Sequence, residues 1–467
     1  MCEEAVPKKG GIEMGMSRRD LLKLSGAAAI AIGTAGCTKM PLGPEGETLK
    51  NQSGVGVGSA ADLPKKKAPR VVVVGGGWSD LTIAKYTKKF APNADVVLIE
   101  QRSEFMSCPV SNLWLVDAVE LDFLMHDYLQ AARENNYTFF NAAVVGVDKE
   151  NKVVMTSDGD MEYDYLVLAP GIDYDYSGWT TDPAMELRFK TEYPAGFKPG
   201  SEHMTLRNKV LDFEGGNFIL TVPGGNYRCL PAPYERACLI ADYFKKEGIE
   251  GKVVLMDEND DITIKAQGFH SAFDKLYADY VEYMPGTKIT HFDLDKKEVT
   301  TEFDDVIPFA DAAFYPHVRG GKLLEVAGVA KDSIFNKKEA DINILTYEVN
   351  GHPDIYCTGD VRPMGFSKSG NTANTEGVFV AKHIAAKING KPEAPWESPL
   401  TICYSAVAID PILAISINAG YAYDEKAKRF QFANVYANEQ WDGRVGINNG
   451  RGLFEWAKGL YRDMFNA

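Results

Sequence analysis

Two stretches place ligand-binding or reactive residue types where plain packing gives little reason for them. The first is Gly75-Gly76-Gly77, with Glu100 closing the next apolar run. Glycines at a strand-to-helix turn let the backbone approach a pyrophosphate. The helix start adds N–H groups and a positive dipole end, and an acid after the following strand can accept from ribose hydroxyls. The second stretch is "GGNYRCLPAPYERA", where Cys229 is followed by prolines at 231 and 233 and by Glu235. A turn crowded with cysteine and proline is a poor site for a residue that only fills space, so Cys229 is read as functional.

The elements around these residues follow from periodicity. "RVVVVGGGWSDLTIAKYTKKFAPNADVVLIEQ" reads as strand, glycine turn, helix, strand and acid in order, a far stronger signal than glycines alone. Asp80 holds the third motif position, where glycine is usual, and its side chain either crowds the helix or faces the pyrophosphate. Further on, "YDYLVLAPGIDY" is a short apolar strand stopped near Gly171, and "HPDIYCTGDVR" is another that ends in Thr358-Gly359-Asp360. They resemble the strand under the adenine side and the Gly-Asp motif on the ribityl chain in two-dinucleotide-domain flavoproteins. The set points to FAD rather than NAD.

Phe218 to Lys246 also has the outline of strand, turn and helix, and a second glycine fingerprint for NADH belongs there. Its turn is Pro223-Gly224-Gly225 instead, and Pro231 and Pro233 are expected to forbid a regular helix start. This predicts a nucleotide-binding fold without its nucleotide and an electron donor other than NADH.

The chain has 467 residues, 45% hydrophobic and 25% charged, with a formal net charge of -15. That length suggests two or three domains. The acidity argues against nucleic acid or an anionic membrane surface as a partner. "SRRDLLKLSGAAAIAIGTAGC" places Arg18 and Arg19 before a short apolar run, in the order of a twin-arginine export signal, which predicts a periplasmic protein exported with its cofactor. Cys37 reads equally as a lipoprotein cleavage site or as an ordinary signal residue, and lipid there is the single membrane attachment the sequence suggests. No cysteine and histidine set has metal-ligand spacing, and no CxxCH is present for haem, so any haem belongs to a partner.

From about Arg70 onward the chain resembles the flavoprotein subunit of flavocytochrome c sulfide dehydrogenase, a relative of the sulfide:quinone oxidoreductases. The resemblance rests on "VVVVGGG", "MSCPVSN", "VLAPG", "YRCLPAPYERA", "GDV" with "SKSGNTAN", "TICYSAVA" and "LFEWAKGLYRDMF". It implies an FAD enzyme that oxidises sulfide and reduces a c-type cytochrome subunit. It further implies that Cys229 is the redox-active cysteine, that Glu235 accepts a proton near the sulfur site, and that Cys108 carries FAD covalently. A sulfur atom over the flavin can take up sulfide as a persulfide, with a carboxylate to receive the proton. The family's second redox cysteine, two residues past the Gly-Asp aspartate, is absent, since Arg362 stands there. Three routes then stay open: direct addition of sulfide to the flavin beside a Cys229 thiolate, recruitment of Cys357, or another sulfur substrate. Cys357 is expected in the core of its strand, and Cys238 and Cys403 are expected to be core residues too. Trp456 is either a core aromatic or a neighbour of the flavin.

The expected fold is α/β, with two Rossmann-like domains, the second empty, and a C-terminal α+β domain. In residues these are an export signal at 1–37, a linker at 38–68, and a discontinuous FAD domain at 69–185 and 310–385. An inserted domain follows at 186–309 and a flavin-covering or interface domain at 386–467. The last helix is expected to carry Leu453, Trp456, Ala457, Leu460, Tyr461 and Met464 on one face.

Overall fold

The computed structural model of the chain describes residues 68–466. The expected export signal, Cys37 and residues 38–67 of the linker lie outside the described residues.

Arg70–Val74 is a strand in which all five residues are buried. A β-branched run hidden on both faces fits only the middle of a covered parallel sheet. There it lies, in a six-stranded sheet ordered Glu348–Val349, His352–Cys357, Tyr165–Leu168, Arg70–Val74, Asp95–Glu100, Thr138–Asn141. All pairs run parallel except the Glu348–Val349 edge pair. Val73 stands opposite Leu98 on one side and Val167 on the other. Because the chain leaves the central strand in opposite directions, a crevice opens at the carboxyl ends of the strands, where ligands bind in such sheets. Gly75–Gly77, Glu100, Gly171 and Asp360 all stand at or just past strand ends at that edge.

A second, four-stranded sheet runs Val281–Met284, Gly251–Asp257, Gly216–Val222, Asp311–Ala313, all parallel. Its last strand pairs Asp311 with Phe218, which carries this sheet just past residue 309. The chain is therefore α/β with two Rossmann-like halves.

The C-terminal part is an antiparallel sheet of Thr401–Ile409, Ile412–Asp424 and Arg429–Asn438, followed by the helix Gly443–Phe465. That helix buries Leu453, Ala457, Tyr461 and Met464 as expected, but it starts well ahead of the apolar stripe. Its first turns pack through glycine: a Cβ on Gly450 would overlap the Ile412 carbonyl. Packing by close backbone approach leaves no apolar periodicity to read. Among the described residues no helix is long and apolar enough to cross a membrane.

Candidate active site

A cavity of about 530 Å³ lies at the carboxyl edge of the first sheet, between it, the inserted sheet and the C-terminal part. Its wall brings together every site residue expected from the sequence: Gly75, Gly76, Gly77, Glu100, Cys108, Gly171, Cys229, Glu235 and Asp360.

The nucleotide end is built for close approach. Gly75 has φ 126°, and a Cβ there would sit 2.8 Å from the Ala169 carbonyl oxygen. Trp78 and Ser79, at the start of the helix Trp78–Phe90, line the cavity, so the positive end of that helix faces it. Glu100 is buried and fixed by Arg102, whose backbone N–H donates at 2.9 Å and whose Nε donates at 3.0 Å to the same Oε1. Asp80 does face this cradle. Its Oδ2 accepts from the Gly77 N–H at 2.9 Å, while Oδ1 is buried without a hydrogen-bond partner. Burial pushes this carboxyl well above the usual carboxylate range, against the pull of the Gly77 N–H, and Glu100 adds to the push. A neutral carboxyl is a donor in search of an acceptor, which suits a pyrophosphate oxygen where a charged one would repel it. The glycine cradle, the helix start and this orphaned oxygen all fit a dinucleotide.

Cys229 is a left-handed residue, with φ 58°. For a non-glycine residue that conformation costs on the order of 1–3 kcal/mol and persists only where the surroundings impose it. Here the Cys229 N–H donates to the Lys368 carbonyl at 2.9 Å. The helix Ala232–Glu247 follows directly, capped by Pro231 and with Pro233 in its first turn. The expectation that these prolines forbid a regular helix start is thus overturned, because first-turn N–H groups have no intrahelical partner and proline loses nothing there. What they remove is anion-binding donors. The Gly224 N–H of the same turn is also taken, donating to Glu258 Oε2 at 3.2 Å. This turn offers no cradle like that at Gly75–Gly77.

Glu235 opens onto the cavity with both oxygens held: Oε2 accepts from Asn112 Nδ2 at 2.8 Å and Oε1 from the Ala406 N–H at 2.7 Å. Burial raises its pKa, and these two donors and the Lys265 charge moderate the rise. Burial likewise pushes the Cys229 thiol well up, and the Cys108 thiol up against the opposing charge of Arg228. Cys108 Sγ lies 3.7 Å from the Phe197 carbonyl oxygen. Asp360 accepts from Arg228 Nε at 2.5 Å. Burial opposes its charge, yet Arg228, Lys368 and Arg362 together keep its pKa below the usual carboxylate range.

Arg362 is fully buried, 3.1 Å from Glu376 and donating to the Ser367 carbonyl at 2.8 Å, outside the cavity wall. Cys357 is fully buried in its strand, as expected, and so is Cys238 on its helix. Neither lines the cavity. Cys403 does not follow its expectation as a core residue: it is half-buried on the cavity wall, where Ile402 to Ser405 of the Thr401–Ile409 strand border the cavity. Sequence reasoning missed Arg228 and Lys368, which line this wall from within the quoted cysteine and SKSGNTAN stretches, and Lys265, which stands behind Cys403 and Ser405 of the wall without a local motif. Trp456 is half-buried on the wall, its ring 6.0 Å from that of Tyr404. Away from the cavity, Glu348, His383 and Glu393 converge, but the Lys387 ammonium already stands beside both carboxylates.

The family model for the "Sulfide dehydrogenase [flavocytochrome c] flavoprotein chain, central" matches residues 204–311, and that for "Pyridine nucleotide-disulphide oxidoreductase" matches residues 69–178. The flavoprotein chain of flavocytochrome c sulfide dehydrogenase from Chlorobaculum thiosulfatiphilum is 49% identical over 43 residues, 9% of this chain and 90% of that sequence. This chain belongs to the sulfide:quinone oxidoreductase-like FAD disulfide reductases. The mitochondrial sulfide:quinone oxidoreductase of Dictyostelium discoideum is 20% identical to this flavoprotein over 436 residues, 84% of this chain and 90% of the other. The structure of sulfide:quinone oxidoreductase from Aquifex aeolicus superposes with a TM-score of 0.65 at 17% identity, over 85% of this chain and 92% of that one, which shows the shared fold. This flavoprotein is an FAD-dependent oxidoreductase of sulfur chemistry.

Proposed function

We propose that this flavoprotein works in the periplasm, oxidises sulfide or a related reduced sulfur compound, and passes the electrons to a c-type cytochrome subunit. The observation that carries this reading is Cys229, held left-handed on the wall of the nucleotide cavity beside Glu235. FAD bound there supplies a two-electron acceptor. Gly75–Gly77 and the Trp78 helix start would hold its pyrophosphate, Glu100 its ribose hydroxyls and Asp360 its ribityl chain, and Cys108 on the same wall would form the thioether. Cys229 holds the substrate sulfur and Glu235 takes its proton, while Tyr404 and Trp456 keep bulk water from that end. The Arg18-Arg19 signal supports export, and the match to a flavocytochrome flavoprotein supports the cytochrome partner.

Quinone is the competing acceptor, favoured by the long match to the Dictyostelium enzyme. Anaerobic titration of the flavin-loaded protein with sulfide, followed by horse-heart or bacterial cytochrome c without quinone, separates them. Bleaching by sulfide and reoxidation by cytochrome c are expected. Bleaching by NADH but not by sulfide overturns the reading, and reoxidation by quinone alone shifts the acceptor.

A further inference from the structure

The cavity wall holds a second thiol in the corner of Cys229. Cys403 arrives on a strand far along the chain, which is tied to the cysteine turn through Glu235: the Ala406 N–H donates to Glu235 Oε1 at 2.7 Å, and Glu235 stands in the first turn of the helix that Cys229 leads into. Lys265 completes the group. It is only 4% exposed, adopts φ 58°, and donates to Ser405 Oγ at 2.7 Å with its Nζ 3.9 Å from Cys403 Sγ. Among the described residues its ammonium bonds no carboxylate, and its charge acts on both Cys403 and Glu235. Burial raises the Cys403 pKa and Lys265 opposes that rise. After burial, an ionised Cys403 is the strongest influence on Cys229. Two thiols that influence each other this way do not readily carry charge together, and the lysine favours charge on Cys403.

We infer that Cys403 is a sulfane-sulfur acceptor, whose thiolate, held by Lys265, attacks the terminal sulfur of a persulfide on Cys229 and takes that sulfur over. A bond forms between Cys403 Sγ and the terminal sulfur as the bond from that sulfur to Cys229 Sγ breaks. Cys229 leaves with the proton that Glu235 took from the substrate, the persulfide proton stays on the transferred sulfur, and no net electrons move, so no oxidant is needed. The step frees Cys229 for another sulfide. It gives this chain a second sulfur carrier although Arg362 and Cys357 lie off the cavity wall. The inference rests on Cys229 being the residue that accepts substrate sulfur.

The test treats the purified flavoprotein with sodium tetrasulfide, quenches with an alkylating agent and locates sulfane sulfur by peptide mass spectrometry. In the wild type it is expected on Cys403. In Cys403→Ser it collects on Cys229, and in Cys229→Ser the label on Cys403 falls about tenfold, since its donor is gone. Lys265→Met raises the pH of half-maximal transfer by about one unit, a change that a merely structural lysine would not cause. Equal loading of Cys403 with and without Cys229 overturns the relay, as does a wild type loaded at Cys229 and bare at Cys403. A wild type loaded at neither overturns both the relay and the reading of Cys229. The wild-type arm needs no variant to fold.

Discussion

The backbone N–H of Cys229 donates to the carbonyl of Lys368 at 2.9 Å, tying the turn of the inserted sheet to the loop that follows Asp360. Lys368 is itself anchored, its Nζ donating to Glu339 at 2.7 Å and to the Asp360 carbonyl at 2.6 Å. The left-handed cysteine is therefore held through its main chain, and its sulfur is free for chemistry. Cys229→Ser should fold and bind flavin like the wild type, with an unchanged thermal midpoint, yet lose bleaching by sulfide. A serine variant that still bleaches at the wild-type rate would show that the sulfur is not the acceptor.

With Glu235 as the proposed proton acceptor, the same step should depend on pH. Burial raises its pKa above 4.5. As a proton acceptor it must be ionised, so the rate of flavin reduction should climb with pH through a value above that of an ordinary glutamate. Glu235→Gln should lower the rate by about 10²-fold and abolish that limb. Stability has the opposite sign: with a raised pKa, the stability linked to this group is fully present below 4.5 and is lost as pH rises through the folded value. Stopped-flow flavin absorbance across pH, with thermal unfolding beside it, reads both.

Cys108 lines the cavity, and acid precipitation tests the thioether proposed for it. Wild-type flavin should stay with the pellet, and Cys108→Ala should release it to the supernatant. Flavin free in both would exclude a thioether.

The Cys108→Ala protein then exposes the role of Asp80. The Asp80 carboxyl is raised by burial, so stability is highest where it is neutral and is lost as pH rises through its folded value. A carboxylate beside a pyrophosphate repels it, so flavin should dissociate more readily at the alkaline end. Asp80→Asn keeps a donor without the charge and should flatten the curve. Equilibrium dialysis of FAD against pH measures this, and parallel curves for the two proteins would remove Asp80 from the cofactor's binding.

The first sheet and its glycine turn were legible because each depends on local sequence: a buried β-branched run, a glycine cradle and an acid at the next strand end. Cys229 and Glu235 were legible for a similar reason, since a seven-residue stretch of one turn and helix carries both. Cys403 and Lys265 were not. Their position depends on how a C-terminal strand and an isolated left-handed residue pack against that turn, which no short-range pattern encodes. The prolines misled because a rule about helix interiors was applied to a helix start.

His126 makes the seating of the C-terminal helix sensitive to acid. Its ring lies 4.6 Å from Phe465 in a stacked arrangement and 4.3 Å from Tyr461, both on that helix, and its Nε2 is buried without a hydrogen-bond partner. Burial alone lowers its pKa from 6.5 to about 4. The unfolded chain therefore takes up the proton first. The stability this group contributes is present above 6.5 and is lost as pH falls through about 4. Protonation puts an unpaired charge between two aromatic rings, so the helix end should loosen before the sheets do. Trp456 stands on the same helix and reports the change as a red-shifted emission. Between neutral pH and mild acid the thermal midpoint should drop by a few degrees more in the wild type than in His126→Phe, which keeps the ring packing without a titrating group. Equal slopes for the two proteins would show that the acid sensitivity lies elsewhere.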